Sequence, residues 1–394
     1  MEKTTVYRVL LFVMLVFAVK GLAVDSNAAE IKNKKQLADI IGSTHVAGKY
    51  CLTKKDYLNE GADQILALGS RVIKIWFYGK RHEHPNNVYS YNSDWPEVKS
   101  LVEGAQLPYF KELFNKPFTT YILVVTSLGR PDDYWRNGIS EENRKDEERQ
   151  FYELSKYLLT AYRGTGKTFV LQHWEGDWMV RDKIDPNVNP REEALNNMVL
   201  WLNARQAGVN KARQEVECNG VNVYHAAEVN RVLSSMEQGR PNMVTRVLPR
   251  IKVDLISYSA WDSAVEEYKN PDKFKKALDF IAEKANDSKA FGNRNVYLGE
   301  FGWPENLYGA EGAKKTVPQA VTTALNWGCP YVVYWQLYCN DLVSPEKRPP
   351  IHNNEDVRGF WLIRPDGSKS WLWNYFNELL SNTKYLKSTE VKEN

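Results

Sequence analysis

The stretch Val296-Tyr297-Leu298-Gly299-Glu300-Phe301-Gly302-Trp303 opens as a buried strand and closes on a carboxyl. Its first three side chains are β-branched, aromatic and aliphatic with no polar break, the pattern of a strand covered on both faces. Glu300 follows in that apolar setting, where an ionisable group costs several kcal/mol unless it is used or paired. Gly299 and Gly302 leave room beside it for a ligand. Working outward, the same kind of run recurs seven times. The runs are His45–Cys51, Arg71–Phe77, Thr119–Thr126, Thr168–Trp174, Val221–Ala226, Val253–Tyr258 and Tyr331–Trp335.

A helical pattern follows each run, at about residues 54–68, 97–114, 140–162, 191–216, 243–248 and 271–285, then a helix opened by Pro318, then 371–380. Eight strand-type runs alternating with helices predict an α/β chain folded as a (β/α)8 TIM barrel. A doubly wound open sheet is the alternative. That fold usually carries a glycine-rich phosphate loop after an early strand, and neither GxGxxG nor GxxxxGK[ST] occurs in this chain. Gly164–Lys167 (GTGK) precedes its strand and reads as a turn.

The chain has 394 residues, 43% hydrophobic and 26% charged, which is ordinary globular composition with ample material for one large core. Lys and Arg number 52 against 49 Asp and Glu, too balanced for a nucleic-acid binder. The N-terminus begins basic at Lys3 and Arg8 and continues as an apolar run over Val9–Val19. Small residues at Gly21 and Ala23 follow. That is a signal-peptide pattern, with cleavage expected after Ala23. The expected organisation is therefore a signal peptide over 1–23, a catalytic barrel over 24–382 and a polar tail over 383–394. The mature protein is expected to be secreted or periplasmic, with no membrane association after cleavage. Of the four cysteines, Cys51 and Cys339 would fall near the same end of adjacent barrel strands, which leaves a disulfide between them open.

In such a barrel the active site lies at the C-terminal ends of the strands. Those ends are rich in indoles and carboxyls: Trp76; His173, Trp174, Glu175, Asp177 and Trp178; His225 and Glu228; Tyr258 and Trp261; Glu300 and Trp303; Trp335. Indoles around carboxyls make a cleft that can stack a sugar ring and shift a carboxyl pKa by partial desolvation. Cleaving a glycosidic bond requires two carboxyls facing each other across it. Glu300 is the strongest candidate for one. Glu175, Glu228 and Asp177 are candidates for the other.

The pattern Gly299-Glu300-Phe301-Gly302-Trp303, followed by a strand ending in Tyr334-Trp335, resembles the clan of TIM-barrel retaining glycoside hydrolases that includes cellulase-, mannanase- and xylosidase-type enzymes. The resemblance implies a nucleophile at Glu300 and an acid/base at Glu175. It also implies that Tyr258 hydrogen-bonds the nucleophile and that Trp335 floors the sugar site. Glu228 is the reserve acid/base. Two positions depart from the clan: Trp174 stands where an Asn usually precedes the acid/base, and Lys74 where strand two usually carries an Arg. A carbohydrate-binding barrel without turnover, and an inverting or transglycosylating enzyme on the same site, therefore stay open.

The expected partner is a carbohydrate, with Trp76, Trp174, Trp178, Trp261, Trp303 and Trp335 as stacking surfaces and His173 and His225 as hydroxyl ligands. No cofactor is called for. His82-Glu83-His84 has metal-site spacing but sits in a polar stretch, so no metal site is expected.

Overall fold

A computed structural model describes residues 37–46, 52–77, 96–217, 219–344 and 351–381. Eight parallel strands close a barrel in sequence order: β1 Ile41–His45, β2 Val72–Phe77, β3 Thr120–Val125, β4 Lys167–Gln172, β5 Val221–Val229, β6 Leu255–Ser259, β7 Val296–Phe301 and β8 Val332–Tyr334. The helices are α1 Tyr57–Ala67, α2 Leu101–Ala105, α3 Pro108–Asn115, α4 Glu141–Ala161, α5 Gly176–Met179, α6 Glu192–Glu215, α7 Val232–Gln238, α8 Met243–Arg246, α9 Pro271–Lys284, α10 Glu305–Tyr308, α11 Ala310–Trp327 and α12 Trp371–Ser381. The expected (β/α)8 TIM barrel is the observed fold.

Three expectations need correction. The first strand is Ile41–His45, ahead of the expected 45–51, of which 47–51 lie outside the described residues. Its sequence, IGSTH, carries no apolar run because small groups are what fit there. A β-carbon on Gly42 would lie 2.6 Å from the Val72 carbonyl oxygen, and Ser43 Oγ bonds the Tyr334 carbonyl at 3.4 Å. The helix expected over 97–114 is two helices, because Pro108 forces Leu107 out of helical geometry (ψ 144°). Pro318 sits inside α11 and does not open it; the helix starts two turns earlier. The signal peptide, the polar tail, His82, His84 and Cys51 lie outside the described residues. Among the described residues no helix is long and apolar enough to cross a membrane.

Strand periodicity organises the interior. Val72, Ile122, Val170, Ala226, Leu255, Tyr297 and Val333, from β2 to β8, form an apolar plug inside the barrel. The alternate residues, including Ile73, Leu123, Leu171, His225 and Tyr258, face outward, and the apolar ones among them pack under the helices. The main helical shell contact is α4 against α6, where Arg205 bonds Glu147 at 3.0 Å with both side chains buried.

Candidate active site

Two residues beyond the apolar plug, the same inward rows turn polar. Lys74 on β2, Gln172 on β4, Glu228 on β5 and Ser257 on β6 are fully buried and bonded to one another. Glu228 Oε1 accepts from Lys74 Nζ (3.0 Å), Gln172 Nε2 (2.9 Å) and Ser257 Oγ (2.8 Å). Its Oε2 accepts the backbone N–H of Glu175 at 2.9 Å. Lys74 Nζ donates onward to Glu300 Oε2 (3.2 Å) and the Gly299 carbonyl (3.1 Å). One further step up, Val46, Trp76, Val124 and Trp335 form an aromatic-rich mouth, with Trp174, Trp261 and Phe360 packed against it.

Glu300 reaches this mouth through a bulge. Tyr258 pairs with Leu298, but Ser259 pairs with Glu300, so β7 carries one extra residue, Gly299. Strict alternation would put Tyr297 and Gly299 inward and Glu300 outward. The bulge turns Glu300 inward as well. Gly299 is required there, since a β-carbon would collide with the Ser257 hydroxyl.

Glu175 and Glu300 meet across Ser259. Its Oγ lies 2.6 Å from Glu175 Oε1 and 3.5 Å from Glu300 Oε1, so those two oxygens are at most the sum of these lengths apart, about 6 Å. Trp261 Nε1 donates to Glu300 Oε1 at 3.1 Å. Glu175 is 6% exposed and Glu300 4%, enough to face the mouth and too little to be hydrated as in bulk water.

Burial sets the ionisation. Desolvation, then the Glu300 charge, raises the Glu175 pKa well above the usual carboxylate range. Desolvation also raises Glu300, to about 7; Lys74 opposes that rise and Glu228 adds to it. Burial is the largest influence on Glu228 too and opposes its ionisation, but the Lys74 charge together with the hydrogen bonds from Lys74, Ser257 and the Glu175 N–H outweighs it and lowers the pKa. Lys74 is held charged by the two carboxylates against its own burial. The site thus contains one carboxyl whose protonated form burial favours, one poised near neutrality and one held as an anion beneath them.

No protein-family model matches the chain. No curated protein matches it either. Solved structures do. A GH5_18 protein from Streptomyces cattleya, in complex with GlcNAc, is 13% identical with a TM-score of 0.55, over 89% of this chain and 81% of that one. An exo-beta-1,4-mannosidase from Opitutaceae bacterium strain TAV5 gives 13% and 0.55 over 89% of this chain and 60% of its own. A GH5_18 protein from Bifidobacterium longum subsp. longum gives 15% and 0.54, over 87% and 78%. At such identities the likeness is one of fold: this barrel is built like those of glycoside hydrolase family 5.

Of the residues singled out in the sequence, the barrel brings Glu175, Glu300, Trp76, Trp174, Trp261 and Trp335 to one mouth. Others go elsewhere. Tyr258 does not bond Glu300: it lies on the outward row and its hydroxyl donates to Asp262 at 2.7 Å. Trp261 makes the contact with Glu300 that was expected of Tyr258. His225 also faces outward, where its Nδ1 meets Gln206 Oε1 at 3.1 Å. His173 is neutral, its pKa lowered to about 4 by burial. Its Nε2 accepts the Glu228 N–H (3.1 Å), so its Nδ1–H donates to the Trp174 carbonyl (2.8 Å), and no ring nitrogen is left for a hydroxyl. Trp303 turns toward the helices, donating to the Gly309 carbonyl (2.8 Å) between Tyr268 and Tyr308. Trp178 is half-buried between the guanidinium groups of Arg181 and Arg231. Asp177 accepts the Met243 and Asn230 N–H groups and clamps the loops after β4 and β5 together. Glu228 lies in the floor with every contact described above already made.

Sequence reasoning missed Ser259, Ser257, Gln172 and Phe360. The signal for three of them was present. Leu255 is inward, so period two puts Ser257 and Ser259 inward and Tyr258 outward; Val170 likewise places Gln172. Phe360 sits in a loop and gave no such signal. Beside the mouth, a cavity of about 210 Å³ runs between Trp76 and Trp174 toward Thr126, Ser127 and Arg205. Among the described residues no cluster of His, Cys, Asp or Glu is arranged to hold a metal ion.

Proposed function

We propose that the chain is an exported glycoside hydrolase that cleaves β-linked glycosides with retention, using Glu300 as nucleophile and Glu175 as acid/base. The observation that carries this is the Ser259 bridge. It keeps one oxygen of each carboxyl within about 6 Å of the other across a single hydroxyl, so that both carboxyls face the same space, as attack and protonation at one glycosidic bond require. Fold likeness to an exo-beta-1,4-mannosidase and to GH5_18 proteins supports the same reading. The apolar run Val9–Val19 and the small residues after it support export.

The chemistry follows from the ionisation split. Glu300, ionised and oriented by Lys74 and Trp261, attacks the anomeric carbon. A C–O bond forms to Glu300 as the glycosidic C–O bond breaks, and the departing oxygen takes the Glu175 proton. The Glu175 carboxylate then removes a proton from water. The water oxygen bonds the anomeric carbon and Glu300 leaves. The indoles of Trp76, Trp174, Trp261 and Trp335 supply flat apolar faces for the sugar.

Glu175→Ala tests the assignment. On an aryl β-glycoside with an activated leaving group, glycosylation survives and release slows. Added azide restores turnover and yields the β-glycosyl azide. No azide effect, or an azide product of inverted configuration, would remove Glu175 from the role.

A further inference from the structure

The mouth explains what Glu175 and Glu300 face, but not what holds them in register. They come from loops and strands on different sides of the barrel, and Glu175 lies beyond the end of β4. A single buried chain of bonds joins them from below: Glu175 N–H to Glu228 Oε2 (2.9 Å), Glu228 Oε1 to Lys74 Nζ (3.0 Å), and Lys74 Nζ to Glu300 Oε2 (3.2 Å). Both middle members are 0% exposed and lie beneath the mouth.

We propose that Lys74 and Glu228 act as a positioning pair, Glu228 holding the main chain at Glu175 while Lys74 holds the Glu300 carboxylate against it. The proposal rests on the glycosidase reading above for its catalytic consequence, but its electrostatic consequence does not need turnover. The Glu228 carboxylate is anchored independently of the mouth by Gln172 and Ser257. Its backbone is pinned by His173 Nε2 (3.1 Å). Gly176 lets the chain after Glu175 pass close over β5, since a β-carbon there would lie 2.8 Å from the Glu228 carbonyl oxygen. A buried ion pair set this rigidly beneath a reactive pair fixes geometry more than it adds stability.

The groups facing Glu300 are Lys74 from β2, Glu228 from β5 and Glu175 after β4, with Ser259 and Trp261 as neutral donors; His173, behind Glu228, is neutral. Removing the Glu228 charge leaves Lys74 paired with Glu300 alone. Glu300 then ionises more readily, and its titration moves to lower pH.

The test compares wild type with Glu228→Gln and Glu228→Asp in the full chain. The carboxyl carbons of 13C-labelled glutamate are followed by NMR against pH, with Glu175→Gln and Glu300→Gln assigning the two signals. Glu228→Gln is expected to lower the Glu300 midpoint by on the order of one pH unit. It should also lower kcat by roughly ten- to a hundredfold with KM little changed, as for a small misplacement of reacting groups. Glu228→Asp keeps the charge but withdraws from the Glu175 N–H, so it should lower kcat while leaving the Glu300 midpoint nearer wild type; it also stands in should the Gln variant not fold. An unmoved Glu300 midpoint in the Gln variant, or kcat unchanged in the Asp variant, overturns the proposal. A shifted midpoint in a chain whose wild type turns over no glycoside would sink the glycosidase reading and leave the pairing intact.

Discussion

At the residue scale, the site spends stability on ionisation. Glu175 and Glu300 both have folded pKa values above the ordinary 4.5, so the stability each contributes is fully present below that value and is lost as pH rises through the folded pKa. Glu175→Gln removes this dependence. We expect the variant to match wild type near pH 4 and to exceed it increasingly above pH 4.5, by up to about 1.4 kcal/mol per pH unit in denaturant titrations. A gap that is constant with pH would mean Glu175 ionises freely in the fold. The same shifts set the activity profile. kcat/KM should fall below about pH 7 as Glu300 takes up a proton, and fall again at higher pH as Glu175, whose pKa burial raises, loses one. How much of this was legible divides by physical cause. Glu300 stood out because a lone carboxyl at the end of an apolar strand has few bland explanations. The family resemblance implies Tyr258 as the partner of Glu300, whereas strand parity places Tyr258 outward and Ser259 inward, as the structure has them.

At the element scale, the bulge in β7 decides which way the nucleophile candidate points, and Gly299 makes the bulge possible. Gly299→Ala pushes a methyl into the Ser257 hydroxyl. Overpacking of this kind costs about 1–3 kcal/mol, and here the strain lands between Glu228 and Glu300. We expect a folded barrel by circular dichroism, a lowered melting temperature and loss of most activity; full activity would show that Glu300 does not depend on the bulge. Bulges and loop positions leave no periodic trace, which is why Gly299 read only as room for a ligand and Phe360 was not read at all. The helical shell offers a second test. Glu147 on α4 is the carboxylate beside the fully buried Arg205 of α6, which also bonds the Val125 carbonyl (3.2 Å) and Ser127 Oγ (3.2 Å) at the end of β3. Glu147→Ala strands that cation, and unfolding experiments should show a loss of about 3–5 kcal/mol. A loss under about 1 kcal/mol would class the pair with surface ion pairs.

At the scale of the whole molecule, the barrel was the most legible feature, because eight repeats of one strand–helix pattern average out local errors. The shifted first strand and the misplaced Pro318 did not disturb the count or the order. What that order could not reveal is which side chains turn inward at the rim, where strands end and parity lapses. The closed barrel resolves this by stacking three layers: an apolar plug, a buried Lys74–Glu228 floor and an aromatic mouth holding Glu175 and Glu300. In the proposed double displacement Glu300 forms a covalent bond to the sugar, and incubating the protein with a panel of dinitrophenyl 2-deoxy-2-fluoro-β-glycosides, then mapping any adduct by peptide mass spectrometry, would trap that bond. We predict release of one equivalent of dinitrophenolate, loss of activity and a fluorosugar on the peptide carrying Glu300. An adduct on Glu175 or Glu228, or steady hydrolysis with inversion and no adduct, would contradict the account.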